Sequence, residues 1–201
     1  MEKQEKSKFN DKPNYHLTYN YDDGCGVKID HDFWISRSVA VVGVVLADTV
    51  DGLKILITKR SEKMPDEAGK WCIPCGYLNY NETTHEAMVR ELYEETSLDL
   101  RAYNKMLMFN NNKQPIYIND NPNSKRQNVS LVFLSSYDFR GENMKNFPIY
   151  TEYFTNNETE KVCWVKLYDF YDKCSQCQWA FHHDEVIKDS IIFFNKHFER
   201  K

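Results

Sequence analysis

The chain has 201 residues, 41% of them hydrophobic and 28% charged, with a formal net charge of -4. That length fits one domain with an extension better than two full domains, and the balance is that of a globular chain with a real core. A net negative chain offers no field for non-specific DNA or RNA binding, so an anionic substrate has to be met by a local correction, such as a metal ion or a few placed basic side chains.

Residues 1–37 read as an N-terminal extension, with 1–12 a disordered Lys/Glu tail. The stretch from Pro13 to Ile35 is polar and Tyr-rich, carries the turn signal Asp22-Asp23-Gly24, and points to no particular element. The tail has no apolar core, so it is not a secretory signal, and no apolar run reaches the length of a membrane span. Six cysteines are too few for a disulfide scaffold, so reduced thiols and a cytoplasmic location are expected.

From Ser38 the pattern sharpens. Val39 to Leu46 is a nearly continuous β-branched run, as in a strand buried on both faces, and Lys54 to Thr58 returns after Asp51-Gly52 to form a hairpin. A loop from Arg60 to Lys70 leads to Trp71-Cys-Ile-Pro74, and a helix is expected from about Thr83 to Thr96. Strands follow at Lys105–Phe109, Ile116–Ile118, Val129–Ser135 and Lys161–Leu167, with a polar loop over Asn119–Asn128. An amphipathic helix from His183 to Phe198 closes the domain, its Val186, Ile187, Ser190, Ile191, Phe194 and Phe198 sharing one stripe. Strands alternating with a few long helices argue for an α/β layer fold over residues 38–201.

On the first helix Glu91, Glu94 and Glu95 lie at i, i+3 and i+4 and converge on one face, with Met88, Val89 and Leu92 beside them to pack on a sheet. Arg90 stands one turn from both Glu86 and Glu94, in ion-pairing position. Converging acids repel unless something positive binds among them, and hard divalent cations take carboxylate oxygens. An isolated Arg-Glu-x-x-Glu-Glu is nonetheless more often a solvated surface helix.

The context upstream tips the balance. Gly76 is followed after five residues by Glu82, then after seven by Arg90-Glu-Leu-Tyr-Glu-Glu-Thr-Ser-Leu98. This resembles the Nudix box at every specified position but one, where Ser97 stands for the closing glycine. A one-mismatch match should arise by chance on the order of once in a hundred thousand sequences of this length. Trp71-Cys-Ile-Pro-Cys-Gly76 is similar to the Trp-x-x-Pro-Gly-Gly lead-in of the family, with Cys75 for the first glycine, and Trp164 supplies its Trp-bearing strand. The likeness spans roughly residues 38 to 198.

The resemblance implies an α/β/α sandwich with a mixed sheet between helices. It implies Mg2+-dependent hydrolysis, with Mn2+ as a substitute, of a diphosphate linkage in a nucleoside diphosphate-X substrate by metal-activated water. Glu91, Glu94 and Glu95 would hold the metal, with the backbone carbonyl at or just before Gly76. Arg90 would orient the helix acids, and Glu82 would support them. A glutamate before the last strand serves as base in many members; Glu142, Glu158 and Glu160 stand in that region, and the sequence does not choose among them. The partner is then a small nucleotide-type diphosphate, with no DNA, RNA or membrane, and a homodimer left open. The alternatives are a non-catalytic ligand-binding Nudix domain, which would tend to lose box acids that are present here, and an isopentenyl diphosphate isomerase-like enzyme, which would depart further from the box.

Other signals carry less. Arg60 is the best candidate substrate contact among the bases, ahead of Lys59 and Lys125-Arg126. The pairs Cys72/Cys75 and Cys174/Cys177, the second near His182 and His183, can hold zinc or switch redox state, but reduced thiols are the expectation. Phe109, Tyr117 and Phe147 could stack on a base, with core packing the safer assignment.

Overall fold

The computed structural model describes residues 15–22, 28–35, 38–110, 113–120, 128–148, 156–173 and 176–198. The expected disordered tail, Cys174 and the Lys125-Arg126 pair lie outside them. The chain divides into two units, Met1–Ser38 and Val39–Lys201. In the first, β1 (Tyr15–Asp22) and β2 (Lys28–Ile35) form an antiparallel pair in register from Tyr15↔Ile35 to Asp22↔Lys28. The composition of that stretch had not announced either strand.

The second unit is built on β3 (Val39–Thr49), which returns through a tight turn as β4 (Gly52–Arg60). Two short strands then run antiparallel to that hairpin: β5 (Trp71–Cys72) on β4 and β6 (Cys75–Tyr77) on β3. After helix α1 (Thr84–Thr96) come β7 (Leu107–Asn110), β8 (Tyr117–Asn119), β9 (Val129–Phe139) and β10 (Thr159–Lys166). The main path of the sheet runs β10-β4-β3-β9-β7, and β8 shares the outer edge of β9 with β7. Strands β3 and β9 are parallel and the other pairs antiparallel, so the sheet is mixed. A parallel pair needs a crossover, and α1 lies within it.

Alternation along β3 explains why its sequence is a continuous apolar run. Val41, Val45 and Ala47 face one layer, where Ala87, Met88 and Leu92 of α1 pack with Leu56, Phe133 and Tyr137. Val42, Val44 and Leu46 face the other, against Val186, Ile187, Ile191 and Phe194 of the last helix, α3 (His183–His197). Both faces of the strand are covered, which a half-polar strand would not tolerate. The result is the expected α/β/α sandwich. Two expectations shift in detail: Leu100–Met106 is a 3-10 helix capped by Asp99 and only Leu107 onward is strand, and a short helix α2 (Leu167–Lys173) follows β10.

Helix α1 is capped at both ends. Thr83 Oγ1 accepts from the Glu86 amide and the Glu86 carboxylate accepts from the Thr83 amide, a reciprocal capping box. Glu86 is thereby committed to the cap, and it is not the Arg90 partner that the helical spacing allowed. At the other end Ser97 is left-handed, with φ 57° and ψ 16°. This is the position where the resembling motif has glycine, and a side chain there costs about 1 kcal/mol. Ser97→Gly is accordingly expected to stabilise the chain by about 0.5–1 kcal/mol, read as a rise in the urea midpoint at unchanged m-value.

Candidate active site

The segment Trp71–Tyr77 is strung across β4 and β3, with Thr58↔Cys72, Val42↔Cys75 and Val41↔Gly76 as partners. The Gly43 amide donates to the Pro74 carbonyl at 2.8 Å and the Leu78 amide to the Val39 carbonyl at 3.1 Å. The period of two sends successive residues to opposite layers. Cys75 packs with the α3 layer, whereas Gly76 faces α1, where an added Cβ would collide with the Glu91 carboxylate. A side chain at 75 is therefore harmless, and one at 76 is excluded.

Arg90 is the hub of the outer surface of α1. Its Nε and Nη2 donate to the two oxygens of Glu82 at 3.0 and 2.7 Å, and its Nη1 to Glu91 Oε1 at 2.7 Å and Glu94 Oε2 at 2.9 Å. Nη2 also reaches the Tyr77 carbonyl at 3.0 Å, tying the strand that carries Gly76 to the helix. Glu82 in turn accepts from the Asn79 amide at 2.7 Å. The Arg90 guanidinium, with that amide, holds the Glu82 carboxyl below the usual range.

The three helix acids differ in environment. Glu94 is open to solvent, with a side chain 56% exposed, whereas Glu91 is largely enclosed and Glu95 is 5% exposed. Burial pushes the Glu91 carboxyl up against the opposing pull of Arg90. Glu95 is pushed well up by burial first and by the charge of Glu91 second, although the Cys75 amide donates to it. Its Oε2 is buried without a hydrogen-bond partner among the described residues.

A buried carboxylate oxygen without a donor, beside a second carboxylate pressed on a bare backbone, is the chemistry of a hard-cation site. The residues fit a divalent ion. Among the described residues no three His, Cys, Asp or Glu side chains already enclose one point.

Arg60 is not at the mouth of this site. Its side chain is buried, with Nη2 at 3.1 Å from Asp66 Oδ1, and the guanidinium lies 5.0 Å from the centre of the Phe181 ring. Its charge acts on Glu95 from inside the fold and lowers that carboxyl's proton affinity. Lys59 pairs with Glu160 at 3.1 Å and Lys145 with Glu142 at 3.5 Å. Of the three glutamates near the last strand, Glu158 is the one whose charge is felt at both Glu91 and Glu95.

Cys72 lies 3.0 Å from Thr58 Oγ1, and burial pushes its thiol up to about 12 and that of Cys75 upward as well. Both thiols are free, Cys72 buried and Cys75 half-buried, in keeping with the expectation of reduced cysteines. Phe109 packs on Phe193 and Phe194, and Phe147 on Phe139 and Trp164, so those rings belong to the core. His183 was missed as a structural partner of the site. Its Nδ1 accepts from the Ile73 amide at 3.2 Å, and burial, then the Arg60 charge, pushes its pKa down to about 3, keeping the acceptor neutral. Sequence spacing offers no signal for a contact spanning 110 residues.

Comparison with known proteins bears on the family and the fold. The NUDIX domain family model matches residues 37–189. An ADP-ribose pyrophosphatase of Methanocaldococcus jannaschii is 27% identical over 162 residues, covering 81% of this chain and 78% of the relative. A bifunctional NMN adenylyltransferase/ADP ribose pyrophosphatase from Francisella tularensis, complexed with AMP and a Mn ion, superposes with TM-score 0.57 at 20% identity; the match covers 79% of this chain and 42% of that one. The NUDIX domain of Shewanella oneidensis NrtR complexed with ADP ribose gives TM-score 0.53 at 17% identity, over 87% and 94% of the two chains. These structural likenesses share the fold. The chain belongs to the NUDIX domain family. No helix among the described residues is long and apolar enough to cross a membrane.

The buried acids set a pH dependence. The folded-state pKa of Glu95 is raised above an unfolded value of about 4.3, so the folded chain binds this proton more tightly than the unfolded one. In metal-free protein the resulting stability is fully present below that unfolded value and is lost as pH rises toward the folded pKa. Glu95→Gln is expected to flatten this loss and to raise the denaturation midpoint in EDTA near neutral pH. A midpoint at or below that of the parent chain would contradict a buried charge at this position.

Proposed function

We propose that residues 38–201 form a divalent-metal-dependent hydrolase that cleaves the diphosphate of a nucleoside diphosphate joined to a second group, with 1–37 as an extension. The observation that carries this reading is the unpartnered, buried Oε2 of Glu95 beside a Glu91 carboxylate pressed on Gly76. Glu91, Glu94, Glu95 and the backbone carbonyl at or before Gly76 are the groups that would hold Mg2+ or Mn2+. The ion, when bound, neutralises the phosphates and acidifies water at the site. Relatives named for ADP-ribose, or complexed with ADP ribose or AMP, make ADP-ribose the first substrate to try.

The chain's own residues supply order. Arg90, anchored by Glu82, sets the spacing of Glu91 and Glu94 and ties them to the Gly76 strand. Arg60 supports Glu95 from the interior in place of contacting substrate. In the reaction a water oxygen forms a bond to phosphorus, the bridging P–O bond breaks with its electron pair staying on the departing phosphate, and the proton of the water passes to a carboxylate. Glu158, whose charge reaches both Glu91 and Glu95, is the best-placed acceptor. An isomerase that moves protons with a cysteine finds no support in Cys75, which is packed in the other layer with its thiol held protonated. The enclosed thiols suit a reducing cytoplasm, where we place the protein.

The test is product release from ADP-ribose, nucleotide sugars, NADH, dinucleoside polyphosphates and nucleoside triphosphates, with Mg2+, Mn2+ or EDTA. Hydrolysis of at least one substrate is expected with metal and none with EDTA. Glu94→Gln and Glu95→Gln should each lower kcat by about 10²-fold or more. A parent chain inert across the panel with both metals sinks the reading.

A further inference from the structure

The loop that carries Glu158 is tied to the acidic helix by one side chain. Because α1 ends at the left-handed Ser97, and because the Leu98 amide is diverted to Thr96 Oγ1 at 3.2 Å, the Glu94 carbonyl has no helical donor. Asn156 Nδ2 donates to that carbonyl at 2.9 Å. The other end of the same amide, Oδ1, accepts from the amides of Glu158 at 2.8 Å and Thr159 at 2.5 Å, the local turn that Asn makes with residues just beyond it. The Asn156 amide closes the turn on the Thr159 carbonyl at 2.9 Å, and the Ser61 amide donates to the Glu158 carbonyl at 2.8 Å. Glu158 is thus bonded through its backbone to the residue after β4 on one side and to Asn156 on the other.

We propose that Asn156 is a positioning residue of the hydrolytic centre: it clasps the loop that carries Glu158 to the orphan carbonyl of Glu94, and so fixes that loop against the last turn of the helix that carries Glu91, Glu94 and Glu95. This rests on the reading of those acids as the reaction centre. Asn156 touches no reacting atom in this scheme. It acts by joining two elements, β10's leading loop and the last turn of α1, whose spacing sets how far the proton acceptor stands from the attacked phosphorus. The clasp needs a donor and an acceptor on one short side chain. Asp keeps the turn but turns a carboxylate oxygen toward the Glu94 carbonyl, and Ala keeps neither bond.

The experiment compares the full chain with N156A, N156D, E158Q and N156A/E158Q, measuring kcat and KM for ADP-ribose (or the best substrate of the panel) with Mg2+, and amide hydrogen exchange at Glu158 and Thr159. E158Q is expected to lower kcat about 10²-fold and N156A about tenfold, with KM changed less than about twofold. In the E158Q background N156A should add no more than about a twofold loss, since it acts through Glu158. Exchange at Glu158 and Thr159 should quicken in N156A and stay near the parent rate in N156D, whose kcat still falls. If the parent chain is active and N156A leaves kcat unchanged, or its loss multiplies in full with that of E158Q, the positioning role is overturned while the hydrolase reading stands. Unquickened exchange in N156A overturns the clasp itself. A parent chain inert on the whole panel overturns both.

Discussion

The arrangement depends on one unfavourable placement: carboxylates of a single helix pressed against the backbone of a strand. Glu91 lies where a side chain at residue 76 would be, and Glu95 is inside the protein with an oxygen that has no donor among the described residues. Burying charge in this way opposes folding, so the rest of the fold has to over-determine it. Ala87, Met88 and Leu92 do so by seating α1 on the sheet, the capping box does so at its start, and Arg90 does so by bonding the helix to the Tyr77 carbonyl. In the proposed reading a hard cation would bring the missing charge.

Two arginines divide the electrostatic work. Arg90, at the surface, neutralises Glu82, Glu91 and Glu94 by direct hydrogen bonds and sets their spacing. Arg60, buried against Asp66 and Phe181, contributes a charge to Glu95 from a position with little solvent to screen it. Their difference is one of depth, and depth decides function. The outer arginine sets the spacing of its carboxylate partners, whereas the inner one partly offsets the effect of burial on the deepest acid. Phe181 and His182 both take a left-handed backbone just before α3, whose first residue His183 accepts from the Ile73 amide. The layer opposite the acidic helix therefore supports the Gly76 segment from behind.

Much of this was legible in the residues. The apolar run of β3 announced a strand covered on both faces, and the 3.6-residue spacing placed Glu91, Glu94 and Glu95 together. Ser97 marked the left-handed end of the helix. Less legible were the elements without a period: α2, the 3-10 helix before β7, and the β1–β2 pair, whose polar sequences lack the alternation from which strands and helices are read. Arg60 read as a surface base because a strand end usually meets solvent; Asp66 and Phe181 enclose it instead.

The sequence by itself determined the family, the layer order and the identity of the acids, because these follow from local spacing along one helix and one strand. Only the tertiary structure decided which acid is buried, which arginine faces in, and which loop is tied to the end of the acidic helix. Those outcomes come from contacts between elements far apart in the chain, such as Asn156 on Glu94 and His183 on Ile73, and no periodicity records them. Burial and charge, which set how readily each carboxylate holds its proton, belong to the assembled fold and not to the residue.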